Sequence, residues 1–196
     1  MRATHRLRPG FSLTELLLVV AMIGILAALA VPSFSPDVAS QLQSAGAAMT
    51  GDLAYARSLA VANNSSYRIS VDVASNRYTL THSGTNPALN NLPSGPMGTP
   101  SDPATRRTTD LDQLPTMGAR VSLLAVQRGS QTFTSADVDF TSVGGTSSAQ
   151  PTVIWLTAGA GGAQRFLAVR VNPVTGLATA DEVTATPPAT GAGAGS

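Results

Sequence analysis

Apolar and polar positions divide the 196-residue chain into three regimes. From Phe11 to Val31 the residues are apolar or small, broken only by Ser12, Thr14 and Glu15. At about 1.5 Å per residue this run makes a helix about 30 Å long, the thickness of a bilayer core. Pro32 and Pro36 follow it, and Gly24 lies within it. Proline removes a helical hydrogen bond, so Pro32 either kinks one long helix or breaks it ahead of a second. Val38, Leu42, Ala45, Met49, Leu53, Ala56 and Ala60 then recur at spacings of three and four. They form one face of an amphipathic helix over residues 36–64, capped by Ser35 or Asp37 and stopped by Asn63-Asn64. From Tyr67 the period becomes two: Tyr67, Ile69, Val71 and Val73 alternate with Arg68, Ser70 and Asp72, as in a half-buried strand.

Ala74-Ser75-Asn76 predicts a turn, and Tyr78 and Leu80 predict the hairpin partner. Residues 82–118 hold six prolines and four glycines with little periodicity, which predicts a long loop. Strand patterns resume at Arg120–Val126, Ala136–Thr141, Thr152–Leu156 and Arg165–Val171. Gly144-Gly145 and Gly159-Ala160-Gly161-Gly162 separate them as turns. Residues 65–185 therefore read as a β-rich globular domain, and 186–196, rich in Pro, Ala, Gly and Ser, as a flexible tail. The fold class is α+β.

Charge changes the picture at the N-terminus. Arg2, His5, Arg6 and Arg8 precede the apolar run, which keeps residues 1–10 cytoplasmic and sends the remainder outward. Glu15 is the one charge inside the run. A carboxylate at membrane depth is costly and marks a function with a partner. Ala28-Leu29-Ala30 offers a competing reading, an A-x-A signal-peptide cleavage before Val31. A plain membrane anchor would account for the length of the run but not for Glu15. The chain has 12 arginines, no lysine, 11 acidic residues and no cysteine, so disulfides and thiolate metal sites are excluded. Without Arg2, Arg6 and Arg8 the remaining 9 arginines face 11 acids, a net charge of −2 that gives no general attraction to nucleic acid.

The junction Gly10-Phe11-Ser12-Leu13-Thr14-Glu15 with its apolar tail resembles the class III leader of type IV pilins and pseudopilins. The resemblance implies cleavage between Gly10 and Phe11 by a prepilin peptidase, N-methylation of Phe11, and pairing of Glu15 with an N-terminal amine during filament assembly. It also implies that residues 11–35 cross the inner membrane and later line the filament core, with Pro32 at the point where the helix unwinds. Gly51-Asp52-Leu53-Ala54-Tyr55-Ala56-Arg57-Ser58-Leu59-Ala60, followed by Tyr67-Arg68-Ile69-Ser70-Val71, is similar to the GspH/FimT branch of minor pilins. Leu59 stands where that branch usually carries an acid. The segment Arg165–Ala178 resembles the branch's last hairpin. A pilin-type fold follows: a long N-terminal helix packed on an antiparallel sheet domain facing the periplasm. Arg57 is expected to pack its stem at a helix–sheet contact and bond its guanidinium to a loop.

The implied function is that of a minor type IV pilin, a structural subunit and not an enzyme, whose partners are other pilin subunits, the peptidase and the inner membrane. The alternatives are a type II secretion pseudopilin, a DNA-binding minor pilin for DNA uptake, and a secreted β-protein cut after Ala30. DNA capture in this branch uses arginines after a glycine of the C-terminal hairpin, but here Gly176-Leu177-Ala178-Thr179 has none. Arg165, Arg170, Arg106 and Arg107 are the remaining phosphate contacts to consider, and DNA binding is not the favoured reading. His82 is the sole histidine after cleavage, and no nucleophile–base set or phosphate loop is evident. Asp110/Asp112 and Asp137/Asp139 are D-x-D pairs whose oxygens suit Ca²⁺, but without a full ligand loop they read as solvated faces or turn caps. No cofactor or metal is expected.

Overall fold

The computed structural model describes residues 12–30, 37–93, 101–113 and 120–188, with side chains left undescribed over 24–30. Two compact units divide the chain, Met1–Ser35 and Pro36–Ser196. The first contains α1 (Leu13–Ala30). Ser12 begins it, accepting the Glu15 amide on its Oγ at 3.3 Å. No helix among the described residues is long and apolar enough to cross a membrane. The expected span from Phe11 to Val31 extends beyond them, and Pro32 also lies outside the described residues.

The second unit begins with α2 (Val38–Ala62), whose N-cap is Asp37, bonded through Oδ1 to the Ala39 amide at 3.3 Å. Its C-terminus turns at Asn63 and Asn64, the latter in the left-handed region at φ 46°. The apolar stripe buries Leu42, Ala45, Met49, Leu53, Ala56 and Ala60, and Leu59, Gly46, Gln41 and Asp52 join them. Gly46 lets Leu167 pack close to the helix: a Cβ there would come within 2.7 Å of Leu167 Cδ2 and force that side chain to shift.

The strands follow as β1 (Tyr67–Asp72), β2 (Arg77–His82), β3 (Arg106–Asp110), β4 (Val121–Arg128), β5 (Gln131–Phe133), β6 (Ser135–Phe140), β7 (Thr152–Ala158), β8 (Arg165–Val171) and β9 (Ala178–Ala180). They make two antiparallel sheets, ordered β3-β2-β1-β6 and β5-β4-β7-β8-β9. α2 packs on strands of both sheets. The core lies between them, with Tyr67, Phe140, Ile154, Leu156 and Leu167 among its largest buried side chains.

The stretch 82–118, expected as a long loop with room for a short ordered piece, has such pieces among its described residues. It holds β3 and two short 3-10 turns, Pro87–Leu89 and Leu111–Gln113. β3 is the sequence Arg-Arg-Thr-Thr-Asp, which has no buried residue and hence no alternating signature. It forms because it pairs in register with β2, Thr108 opposite Thr79 and Arg107 opposite Leu80.

Candidate functional site

Two regions carry the residues singled out from sequence. In the first unit, Ser12 and Glu15 stand at N-cap and N3 of α1, the spacing of a capping box. The half of that box which Ser12 supplies is formed, its Oγ accepting the Glu15 amide at 3.3 Å. Among the described residues no cation pairs with the Glu15 carboxylate. Leu13, Leu16, Leu17, Leu18, Val20 and Ile23 are all exposed on the same helix. Gly10 and Phe11 lie outside the described residues.

In the second unit Arg57 is the centre of a three-way junction. Its Nε donates to the carbonyl of Gly144 at 3.0 Å and to that of Thr175 at 2.7 Å. One guanidinium thus ties the last third of α2 to the loop after β6 and to the turn between β8 and β9. Asn172 shapes that turn, accepting the amides of Val174 and Thr175 on Oδ1 at 2.9 and 3.0 Å. The Thr146 amide adds a bond to the Pro173 carbonyl at 2.8 Å. Arg57 is therefore the helix–loop contact expected of it. Arg57→Ala is expected to cost about 2 kcal/mol, since the part-buried Gly144 carbonyl and the exposed Thr175 carbonyl both lose a charged donor. Chemical denaturation measures this. Arg57→Lys should recover less than half, because an ammonium on a flexible stem does not hold the fixed N–H direction with which Nε serves both carbonyls.

A buried polar pair lies deeper. Asp52 of α2 is 9% exposed and accepts a hydrogen bond from the Tyr78 hydroxyl at 2.6 Å. Thr109 Oγ1 of β3 is 3.4 Å from the same oxygen. Burial pushes the Asp52 carboxyl above its ordinary 3.8, partly offset by the Tyr78 and Thr109 bonds. Burial and the neighbouring carboxylate together drive the Tyr78 phenol well above its usual range. An acid with a raised folded value releases its proton in the unfolded chain first. Its ionisation therefore lowers stability as pH rises from 3.8 to the folded value. Asp52→Asn should remove that decline, so the stability of the variant relative to the parent should rise across the same window. Urea unfolding at a series of pH values reads it, and a parallel pH dependence of the two proteins would refute the assignment.

The other candidates are dispersed. Arg68 of β1 bonds Asp139 at 2.7 Å and Asp137 at 3.1 Å, so the second D-x-D pair is already engaged with a cation. These two acids border a cleft of about 510 Å³ that Arg128, Phe133 and Ser147 also line. Arg128 is itself bonded to Thr152 and to the Asp137 carbonyl. Asp110 accepts from the Asp112 amide and from Gln113, while Asp112 accepts from Asn76. Among the described residues no group of three or more His, Cys, Asp or Glu could hold a metal ion.

Arg165 bonds the carbonyls of Gly162 and Gln164, and Arg170 pairs with Asp181 at 2.7 Å. Arg106 and Arg107 sit on β3 of the other sheet, where Arg107 bonds the Pro103 and Leu92 carbonyls. Arg165 and Arg170 thus belong to the five-stranded sheet and Arg106 and Arg107 to the four-stranded one.

One arrangement has the outline of a relay. Ser65 Oγ is 2.7 Å from His82 Nε2, and His82 Nδ1 is 2.8 Å from Asn90 Oδ1. Gly84 closes over it: a Cβ there would overlap Ser65 Oγ and lie 2.8 Å from His82 Nε2. The set ties the end of α2 to β2 and the turn at Pro87–Leu89, with the His82 ring edge-on to Tyr67 at 5.1 Å.

The residues of the Arg57 junction fall within one stretch of family similarity. The family model described as type II transport protein GspH matches residues 45–176. No curated protein and no solved structure matches the chain. The matched stretch opens in α2, spans both sheets and closes on Gly176, the glycine packed against Arg57. It covers about two thirds of the sequence, and the chain belongs to the family of type II transport protein GspH.

Proposed function

We propose that this chain is a pilin-type structural subunit of a type II secretion pseudopilus, made as an inner-membrane precursor and processed before assembly. The observation that carries the reading is Glu15, a lone carboxylate in an exposed apolar helix, on a chain whose second unit is a GspH domain. In this reading a prepilin peptidase cuts between Gly10 and Phe11 and Phe11 is methylated. The new α-amino group then offers the Glu15 carboxylate an opposite charge, and each lowers the other's desolvation penalty among apolar neighbours. Residues 11–31 insert in the membrane, and residues 36 onward face the periplasm. Pro32 loosens the helix between them. The same features support a minor type IV pilin as the second reading. The family description favours type II transport.

N-terminal sequencing and intact mass of the native protein test the processing. The expected mature residue is Phe11, methylated, and Gly10→Val should leave the precursor whole in the membrane. Glu15→Val should still insert but enter filaments at least tenfold less, because the amine of the cleaved chain loses its counter-charge. A native N-terminus at Val31 would sink the proposal.

A further inference from the structure

A sheet edge that leaves its N–H and C=O groups open is a template for another strand, so a stable protein closes its edges. Among the described residues four strands stand at sheet edges. β5 and β9 have three residues each, too few to template a strand. β6 is covered by its own chain: the Ser147 amide donates to the Asp139 carbonyl at 2.9 Å, Thr146 bridges Phe140, and Arg128 donates to the Asp137 carbonyl. β3 is five residues long, and its middle is closed by one carboxylate. Asp102 Oδ2 accepts the Thr108 amide at 2.7 Å, on the side of β3 away from β2. Backbone groups alternate in direction along a strand, so the amides of Arg106 and Asp110 face the same way. The Arg106 amide is taken by the Pro103 carbonyl at 3.1 Å, in the turn that folds residues 101–105 back along the edge. Asp102 thus occupies the central outward donor and sets a negative charge where an incoming strand would place a carbonyl oxygen.

We infer that Asp102 is a lock on the edge of the four-stranded sheet, and that the strand it excludes is β3 of a second copy of this chain. Charge complementarity names the occupant. β3 reads Arg106-Arg107-Thr108-Thr109-Asp110. Antiparallel pairing of two such strands about Thr108 sets Arg106 of each copy opposite Asp110 of the other, and Arg107 opposite Thr109. The outward N–H and C=O groups of Arg106, Thr108 and Asp110 then exchange bonds, and each Arg–Asp pair adds a cross-strand attraction. The same surface meets itself, so the contact is isologous and would join two four-stranded sheets edge to edge. With Asp102 in place the Thr108 amide is already spent, and the self-complementary strand stays closed to its own kind. The inference concerns the second unit alone and does not depend on how the first is processed or assembled.

The chain contains no cysteine, so an introduced thiol is unique. Full-length protein in detergent carries Thr108→Cys, with and without Asp102→Ala, and is mildly oxidised. Pairing about position 108 brings the two Cα atoms to about 5.5 Å, within disulfide range. Asp102→Ala should raise the yield of disulfide dimer about tenfold, the factor that one hydrogen bond to a charged acceptor is worth. In a second measurement without the thiol, Asp102→Ala should raise the protein mass seen by light scattering from the parent's value to that of a dimer. Adding Thr108→Pro should return it to the parent's value. Proline removes the outward N–H and leaves the ladder to β2 intact. Equal crosslinking with and without Asp102 would overturn the lock. A larger mass that Thr108→Pro does not reverse would mean association of unfolded chains and would overturn it too. A dimer that forms without the disulfide at position 108 would place the contact on another surface and overturn the pairing of β3 with itself.

Discussion

Asn76→Ala is expected to destabilise the GspH domain by about 3–5 kcal/mol, from three buried or part-buried hydrogen bonds and a left-handed backbone lost together. Asn76 sits in the β1–β2 turn at φ 50° and is 9% exposed. Its Oδ1 accepts the Leu123 amide at 2.8 Å. Its Nδ2 donates to the Val121 carbonyl and to Asp112 Oδ1, each at 3.0 Å. Its own carbonyl accepts the Leu111 amide at 3.1 Å. One side chain thus joins a hairpin of the first sheet to β4 of the second and to the turn after β3. Alanine leaves the Leu123 N–H and Val121 C=O unpaired between the sheets, where water does not readily replace the amide. Asn76→Gly separates the terms: it relieves the backbone but restores no bond, so it should recover only about 1 kcal/mol. Denaturant midpoints for the three proteins give the comparison. An alanine variant within 1 kcal/mol of the parent would show that the two sheets do not depend on this residue.

The contrast between that residue and its neighbours shows where sequence reading stops. Periodicity exposed α2 because its stripe recurs within each turn and faces a continuous core, and it exposed β1 and β2 because buried and open positions alternate, whereas β7 and β8 are runs buried on both faces that glycine turns set apart. Asn76 could be read as a turn residue, since Asn tolerates positive φ. Its bonds to Val121 and Leu123 span 45 and 47 residues, and no local pattern encodes them. Asp52 stands beside the apolar stripe and reads as a polar-face residue. Only the arrival of Tyr78, 26 positions on, makes its burial tolerable. β3 and β9 escaped notice for related reasons: one is polar throughout, the other three residues long, and both owe their form to a strand already in place.

The candidate site divides along the same line. The Gly10-Phe11 junction and Glu15 are short-range features, legible as a motif before any fold is known. Arg57 was legible as a motif residue and its contact type followed from its place on the helix. Its partners are 87 and 118 residues away. The junction around it had no sequence signal, because the end of α2, the loop after β6 and the β8–β9 turn meet only in the folded chain.

That convergence depends on one backbone approach, so Gly176→Ala is expected to be the second severe lesion, also about 3–5 kcal/mol. Gly176 has φ 64°, which an L side chain adopts at a cost of about 1–2 kcal/mol. An added Cβ would also overlap the Gly144 carbonyl oxygen and press on Arg57 Cδ at 3.2 Å. The overlapping atom is backbone, so relief requires the β8–β9 turn to move, with about 1–3 kcal/mol of further cost. Movement of the turn separates the Thr175 carbonyl from Arg57 Nε and breaks the bond from the Gly176 amide to the Asn172 carbonyl, now 2.8 Å. The substitution should therefore be non-additive with Arg57→Ala. The double variant should be less destabilised than the sum of the two singles by about 1 kcal/mol or more, because the second change removes a bond already broken. Urea unfolding of the four proteins completes the cycle. Strict additivity would mean that Gly176 and Arg57 act independently and that the three segments are not joined through the guanidinium.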